Sequence, residues 1–324
     1  MKRIFTIALA AVALALFTAA PAQNWPTQPV RLVIAWPPGG GNDILGRLLA
    51  EAVSPALGQN IVVENRGGAN GLIGAEHVAR SAPDGYTFMF HSVTTHLINQ
   101  AFYTKVPYDT VNDFAPVAMI GEVPHVLVAH PSLPAKDLKE LVALAKKEPG
   151  KFSYASFGNG SSSHLSGALF NTMLGVKLTH VAYKGGGPAL NDTLGGHIPL
   201  YFATVATALP SIQAGKLRAL AVTTGQRSQK LPDVPTVDEA AGIKGYETSA
   251  MYGVWAPART PVAIVNRMNA EIVRALQKPE FAASISKQGV EPARAHTPAD
   301  MAAYINAQLP KWAEVVKASG ARAD

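Results

Sequence analysis

Two stretches of this chain have the residue types and spacing to seat an anion. Trp36-Pro37-Pro38-Gly39-Gly40-Gly41-Asn42-Asp43 follows an apolar run from Val30 to Ala35 and leads into helical spacing. Glycines let backbone N–H groups approach a bound group closely, and the following helix turns its positive end toward the same place. Phe157-Gly158-Asn159-Gly160-Ser161-Ser162-Ser163-His164 repeats the arrangement as a turn, a run of hydroxyls and a helix start. In Lys184-Gly185-Gly186-Gly187 a lysine precedes the turn, either lending charge to an anion or standing solvated at a strand end. Trp36 and Phe157 flank the two cradles and either stack on a ligand or pack against their own sheets.

Other chemistries fit poorly. Neither triple-glycine run completes G-x-G-x-x-G and no G-x-x-x-x-G-K-[ST] is present, so nucleotide binding lacks support. Ser163 beside His164 invites an exported serine hydrolase, with serine as nucleophile and histidine as base. No G-x-S-x-G elbow occurs, however, and triads do not normally assemble from sequence neighbours. The histidines, among them His91, His96, His125, His130, His164 and His180, show no H-E-x-x-H pairing, so no metal site is expected. Asp43 stands in the first turn of a helix, where a carboxylate caps free N–H groups by default.

The elements that must hold these loops alternate between strand and helix, which argues for α/β architecture. Val30 to Trp36, Ile61 to Glu64 and Tyr86 to His91 are expected strands; a helix with Gly58 as its stop and another over Ile73 to Arg80 separate them. A second set runs through strands at Val126 to His130, Phe152 to Ser156, Thr179 to Ala182, Leu200 to Phe202 and Ala219 to Thr223. Its helices are Lys136 to Lys147, Ser163 to Leu174 and Pro188 to Leu194. Beyond a strand at Tyr252 to Ala256 the chain is helical, and Thr297, Pro298 and Asp300 open the last long helix. Ligands of open parallel sheets sit beyond the carboxyl ends of the strands. Those positions collect Pro38 to Asp43, Gly67 to Gly71 with Asn70, Ser92 to Thr95 with Thr94, Phe157 to His164, Lys184 to Gly187, and Ala203-Thr204.

The C-terminal helices lack strands and are expected to pack on the first set. This divides the chain into a discontinuous lobe of residues 23–122 and 247–324 and a second lobe of 123–246, joined by two crossings that act as a hinge. Residues 1–22 have the basic start, short apolar run and Ala20-Pro21-Ala22 ending of a signal peptide, so export to the periplasm and cleavage after Ala22 are expected. Cysteine is absent, which excludes disulfides and thiolate catalysis. Without Lys2 and Arg3 the 28 basic residues become 26 against 22 acidic ones, a net charge of about +4 that mildly favours acidic ligands. The basic residues form no run, and no nucleic-acid partner is expected.

Several motifs occur together in order: Trp-Pro-Thr-Gln-Pro-Val-Arg-Leu-Val at 25–33, Pro37-Pro38-Gly39-Gly40 with Asp43, Val63-Glu64-Asn65-Arg66, and Ala82-Pro83-Asp84-Gly85-Tyr86-Thr87. Tyr154-Ala155-Ser156, Val181-Ala182-Tyr183-Lys184-Gly185 and Leu231-Pro232-Asp233-Val234-Pro235-Thr236 follow. With these the chain resembles the Bug family, the periplasmic substrate-binding receptors of tripartite tricarboxylate transporters. The resemblance implies an α/β, two-lobed Venus-flytrap fold of the type II periplasmic-binding-protein kind, with mixed, mainly parallel sheets flanked by helices. It implies a non-enzymatic, monomeric receptor that needs no cofactor, captures an organic mono- or dicarboxylate, aliphatic or aromatic, with Trp36 or Phe157 against its apolar body, and delivers it to a membrane permease. A ligand-presenting signalling receptor would share this sequence. Carried onto this chain, the first-lobe contacts are Pro38, Gly39, Gly40, Gly41, Asn42, Asp43, Asn70, Ser92 and Thr94. The second-lobe contacts are Ser156, Ser161, Ser162, Ser163, His164, Lys184, Ala203 and Thr204. Replacing Ser163 by alanine or Gly40 by valine is expected to weaken binding. Where the family often has aspartate this chain has Ala203, which disfavours an amino-acid ligand, and Pro55 is expected to kink or end the first helix early.

Overall fold

The computed structural model describes residues 25–39 and 41–320. The expected signal peptide over residues 1–22 and Gly40 therefore lie outside the described residues.

Two helix-covered sheets share one long strand. The first sheet contains β1 (Val30–Ile34), β2 (Ile61–Asn65), β3 (Thr87–Ser92), the first part of β4 (Phe114–Ala129), β9 (Ser249–Pro257) and β10 (Glu291–Pro292). The second contains β5 (Ser153–Ser156), β6 (Thr179–Ala182), β7 (Leu200–Thr204), β8 (Arg218–Val222) and the last residues of β4. Strands β2-β1-β3 and β6-β5-β7 are parallel, as βαβ connections require, whereas β4 and β9 add antiparallel pairings. From Phe114 to Pro124 β4 pairs with β9, and from His125 onward it pairs with β7 and β8.

That 16-residue strand extends well beyond the one expected at Val126 to His130. Pro116, Gly121 and Pro124 argue locally against a strand, because proline donates no ladder hydrogen bond. Irregularities in the β4–β9 register, between Pro116 and Ala118 and between Met119 and Gly121, absorb the first two, and Pro124 stands at the end of the β9 pairing, where the strand passes to β7.

Helices cover both faces of both sheets. On one face of the first sheet pack α1 (Gly41–Leu57), α9 (Val262–Leu276) and α10 (Pro279–Lys287), burying Leu45, Leu49, Val53, Met268, Ile272 and Ile285. On the other lie α2 (Leu72–Ala79), α3 (Val93–Phe102) and α11 (Pro298–Ser319). The second sheet carries α4 (Leu138–Lys147), α5 (Ser162–Leu174) and α8 (Val237–Ala241) on one face, and α6 (Gly186–Leu194) and α7 (Val205–Gln213) on the other. Helix α11, capped by Thr297 with Asp300 as the spacing predicts, reaches past the first sheet: its Trp312 and Val315 share a core with Leu165 and Ala168 of α5.

Pro55 does not end α1 early: the helix runs to Leu57 before Gly58 turns left-handed at φ 68°. A proline this close to a helix end removes only one late hydrogen bond, and Ser54 Oγ secures the turn by donating to the Ala50 carbonyl and accepting from Ile61 N–H.

Candidate functional site

The carboxyl ends of β1, β3, β5, β6 and β7 open on a single cleft of about 700 Å³ between the two sheets. Five helix starts meet there: Gly41 and Asn42 of α1, Ser92 and Thr95 at α3, Ser161 and Ser162 at α5, Gly185 and Gly186 at α6, and Thr204, Ala206 and Thr207 at α7. First-turn N–H groups have no partner within their own helix, so five such turns make a field of donors at the positive ends of five dipoles. Three of the turns are pre-formed by side-chain caps. Ser92 Oγ accepts from Thr95 N–H, Ser161 Oγ from His164 N–H and Thr204 Oγ1 from Thr207 N–H, each at 3.2 Å.

Among the described lining residues none is acidic, and Lys184 and Lys287 supply two ammonium groups. Trp36, Pro37, Pro38, Ile44, Leu45, Val123, Phe157, Ala250 and Tyr252 make the rest of the wall mostly apolar, with Gln288 beside Lys287. A ligand with a negative end and a hydrocarbon body matches this wall.

Of the residues singled out in the sequence, Trp36, Pro38, Gly41, Asn42, Ser92, Phe157, Ser161, Ser162, Lys184 and Thr204 meet on the cleft. The other described ones do not line it. Gly39 and Asp43 bond each other: the Gly39 N–H, Arg47 Nε and Asn65 Nδ2 all donate to the Asp43 carboxylate at 2.9 Å. Burial alone would raise that carboxyl, but these donors outweigh it and hold its pKa down at about 2. Asp43 therefore braces the glycine turn and does not line the cleft. Asn70 donates instead to the Asn159 carbonyl at 2.9 Å. Thr94 Oγ1 ties α3 to β9 by donating to Ser249 O and accepting from Met251 N–H.

Ser163 is a correction, because its hydroxyl is fully buried and donates to the Phe202 carbonyl at 2.6 Å. Side chains one residue apart on a helix point about 100° apart, so Ser161 and Ser162 facing the cleft turn Ser163 into the core. Ser156 lies within 2.6 Å of His180 Nε2, and His164 stacks on His180 with ring centroids 3.8 Å apart. Ala203 is buried in the second core on β7. Ser156 and His164 brace the second cradle from behind, accepting from the Gly158 and Gly160 N–H groups.

The Ser163–His164 pair needed by a hydrolase does not form, since His164 Nδ1 accepts from Gly160 N–H. Ser162 instead approaches His125 Nε2 at 3.3 Å, but His125 Nδ1 faces the Ser166 hydroxyl, so no carboxylate orients the ring. Burial drives its pKa down to about 3, leaving it a weak base at neutral pH.

Sequence reasoning missed Tyr252, Val123, Ala250, Lys287 and Gln288. They reach the cleft from β4, β9 and the end of α10, and no local pattern marks them. Thr207 was legible in principle, as the residue three positions after the Thr204 cap.

The family described as tripartite tricarboxylate transporter family receptor, TctC, matches residues 45–321. Among solved structures, R. palustris Rpa4515 with adipate is 38% identical with a TM-score of 0.82, over 91% of this chain and 98% of that one. The periplasmic binding protein BugD is 36% identical with a TM-score of 0.78, over 92% and 99%. MatC (Rpa3494) from Rhodopseudomonas palustris with bound malate is 33% identical with a TM-score of 0.79, over 90% and 100%. The fold is thus the two-lobed fold of periplasmic binding proteins, and the chain belongs to the TctC family of solute-binding receptors, which are not enzymes.

Proposed function

We propose that this chain is an exported receptor that captures an organic mono- or dicarboxylate between lobes formed by residues 23–122 with 247–324 and by 123–246. Cleavage after Ala22 would release it into the periplasm as a monomer, and closure of the lobes would prepare it to load a tripartite membrane permease. The observation that carries this reading is the charge of the cleft: five helix starts and two lysines converge on it, and no described acidic side chain lines it. Carboxylate oxygens accept from N–H and hydroxyl donors, while the apolar wall takes the hydrocarbon body. Adipate in Rpa4515 and malate in MatC support the ligand class. Among the described residues no helix is long and apolar enough to cross a membrane, in keeping with a receptor that needs a separate permease.

The ligand contacts in this reading are Trp36, Pro38, Gly41, Asn42, Ser92, Phe157, Ser161, Ser162, Lys184 and Thr204, joined by Thr207, Tyr252, Lys287 and Gln288. Calorimetric titration of the mature chain with mono- and dicarboxylates, their amides and matching amines tests it. A carboxylate should bind while its amide does not, and Lys184→Gln should weaken that binding more at low salt than at high salt. Binding of an amine or a neutral sugar with no carboxylate bound would refute it.

A further inference from the structure

Trp36 is the largest side chain on the cleft wall, and its one polar atom is already engaged. Its indole Nε1–H donates to His91 Nδ1 at 3.0 Å, and its carbonyl accepts from Asn65 Nδ2 at 3.1 Å. His91 lies on β3, fully buried, with Gly253 opposite it in the sheet. Gly71 makes room for the ring: at φ 88°, a Cβ there would stand 2.5 Å from His91 Cε1. An indole nitrogen only donates, so His91 Nδ1 must accept and the imidazole proton must sit on Nε2. Burial favours the neutral ring that this tautomer requires.

We infer that His91, which does not line the cleft, is a positioning residue that turns the Trp36 N–H into the core and offers the ligand only the indole's carbon surface. The inference rests on the carboxylate reading and narrows its ligand class. Ile44, Leu45 and Val123 continue the apolar wall beside Trp36, and the ring face of Tyr252, stacked on Phe90 at 5.9 Å, adjoins them. A ligand hydroxyl against this wall gives up its water and finds no partner in the indole. The site is therefore built for carboxylates with a hydrocarbon middle and discriminates against analogues hydroxylated there.

The test compares matched pairs by calorimetry: succinate with malate, adipate with 3-hydroxyadipate, and benzoate with 3-hydroxybenzoate. The unsubstituted member should bind more tightly to the wild-type protein. His91→Leu frees the indole N–H to meet a ligand hydroxyl, so the preference should fall by about tenfold, the scale of one such hydrogen bond. His91→Asn, which keeps an acceptor near the Nδ1 position, should restore it. In a Trp36→Phe background no N–H exists to be freed, and His91→Leu should leave the preference unchanged. A folded His91→Leu protein with the wild-type preference, or an equal change in the Trp36→Phe background, would overturn the inference.

A ligand-free measurement on the wild-type chain adds a readout that does not require His91→Leu to fold. The Trp36 indole proton, assigned by its loss in Trp36→Phe, should exchange slowly with solvent, and rapid exchange would also overturn the inference. If no carboxylate binds the wild-type chain while the indole proton is protected, the carboxylate reading fails and the positioning role of His91 stands.

Discussion

Asp43→Ala measures how firmly the first cradle is braced. The Asp43 carboxylate takes three hydrogen bonds, two of them joining the glycine turn and β2 to α1. Its pKa of about 2 in the fold lies below the ~3.9 of an unfolded aspartate, which corresponds to about 2.5 kcal/mol when both states are ionised. The Arg47 side chain is 52% exposed, so solvent screens its share, and about 2 kcal/mol is the expected loss at pH 7. The sign follows from the depressed folded-state value. The stabilisation is complete above pH ~4 and is lost as pH falls through the folded value near 2, so about half remains at pH 3. Urea denaturation of wild type and variant at pH 7 and at pH 3 should show the difference shrinking from about 2 to about 1 kcal/mol. A difference that is the same at both pH values would mean that the carboxylate's charge does not hold the turn.

Ser163→Ala should cost about 1 kcal/mol of stability, through the lost bond to the Phe202 carbonyl, and leave carboxylate affinity unchanged. A tenfold loss of affinity in calorimetry would return Ser163 to the site. Gly160→Ala puts a Cβ 2.7 Å from both Phe102 Cε1 and Asn70 Nδ2 at a backbone φ of 72°. It should destabilise by about 2–3 kcal/mol in chemical denaturation, and a neutral result would show that the Asn70–Asn159 junction yields freely. Burial holds His125 near 3 and His164 near 4, below the ~6.5 of an unfolded histidine. The unfolded chain therefore binds more protons as pH drops below ~6.5, and stability should fall from pH 7 to pH 5, by up to about 1.4 kcal/mol per pH unit for each such ring. A melting temperature flat over that range would refute their neutral burial.

The alternation of strands and helices and the glycine and hydroxyl loops at strand ends were legible because both are local. Apolar period distinguishes strand from helix, and Gly, Ser and Thr mark turns and caps through their own backbone chemistry. Where local signals conflict, the reading stops short. Helix α3 is hidden by Val93, Thr94 and Thr95, whose branched side chains resemble a strand, and it is stabilised as a helix by the Ser92 cap and by burial of Leu97, Ile98 and Phe102. The crossing strand β4 is hidden by its two prolines, Pro116 at an irregularity of the β9 pairing and Pro124 where the strand changes partners.

By itself the sequence determined that this chain would build α/β lobes with donor-rich loops at the carboxyl ends of the strands, since each of those features is set by residues within a turn or two of one another. Only the tertiary structure decided which donors face the same space. The helical twist sends Ser161 and Ser162 outward and Ser163 inward, and Asn65, Gly39 and Arg47 claim Asp43 before a ligand can. Lys287, Gln288 and Tyr252 reach the cleft from the last third of the chain, because packing brings α10 and β9 beside loops far away in sequence. A cleft lined by backbone donors is a property of convergence, and convergence of five helix starts is decided by how two sheets share one strand.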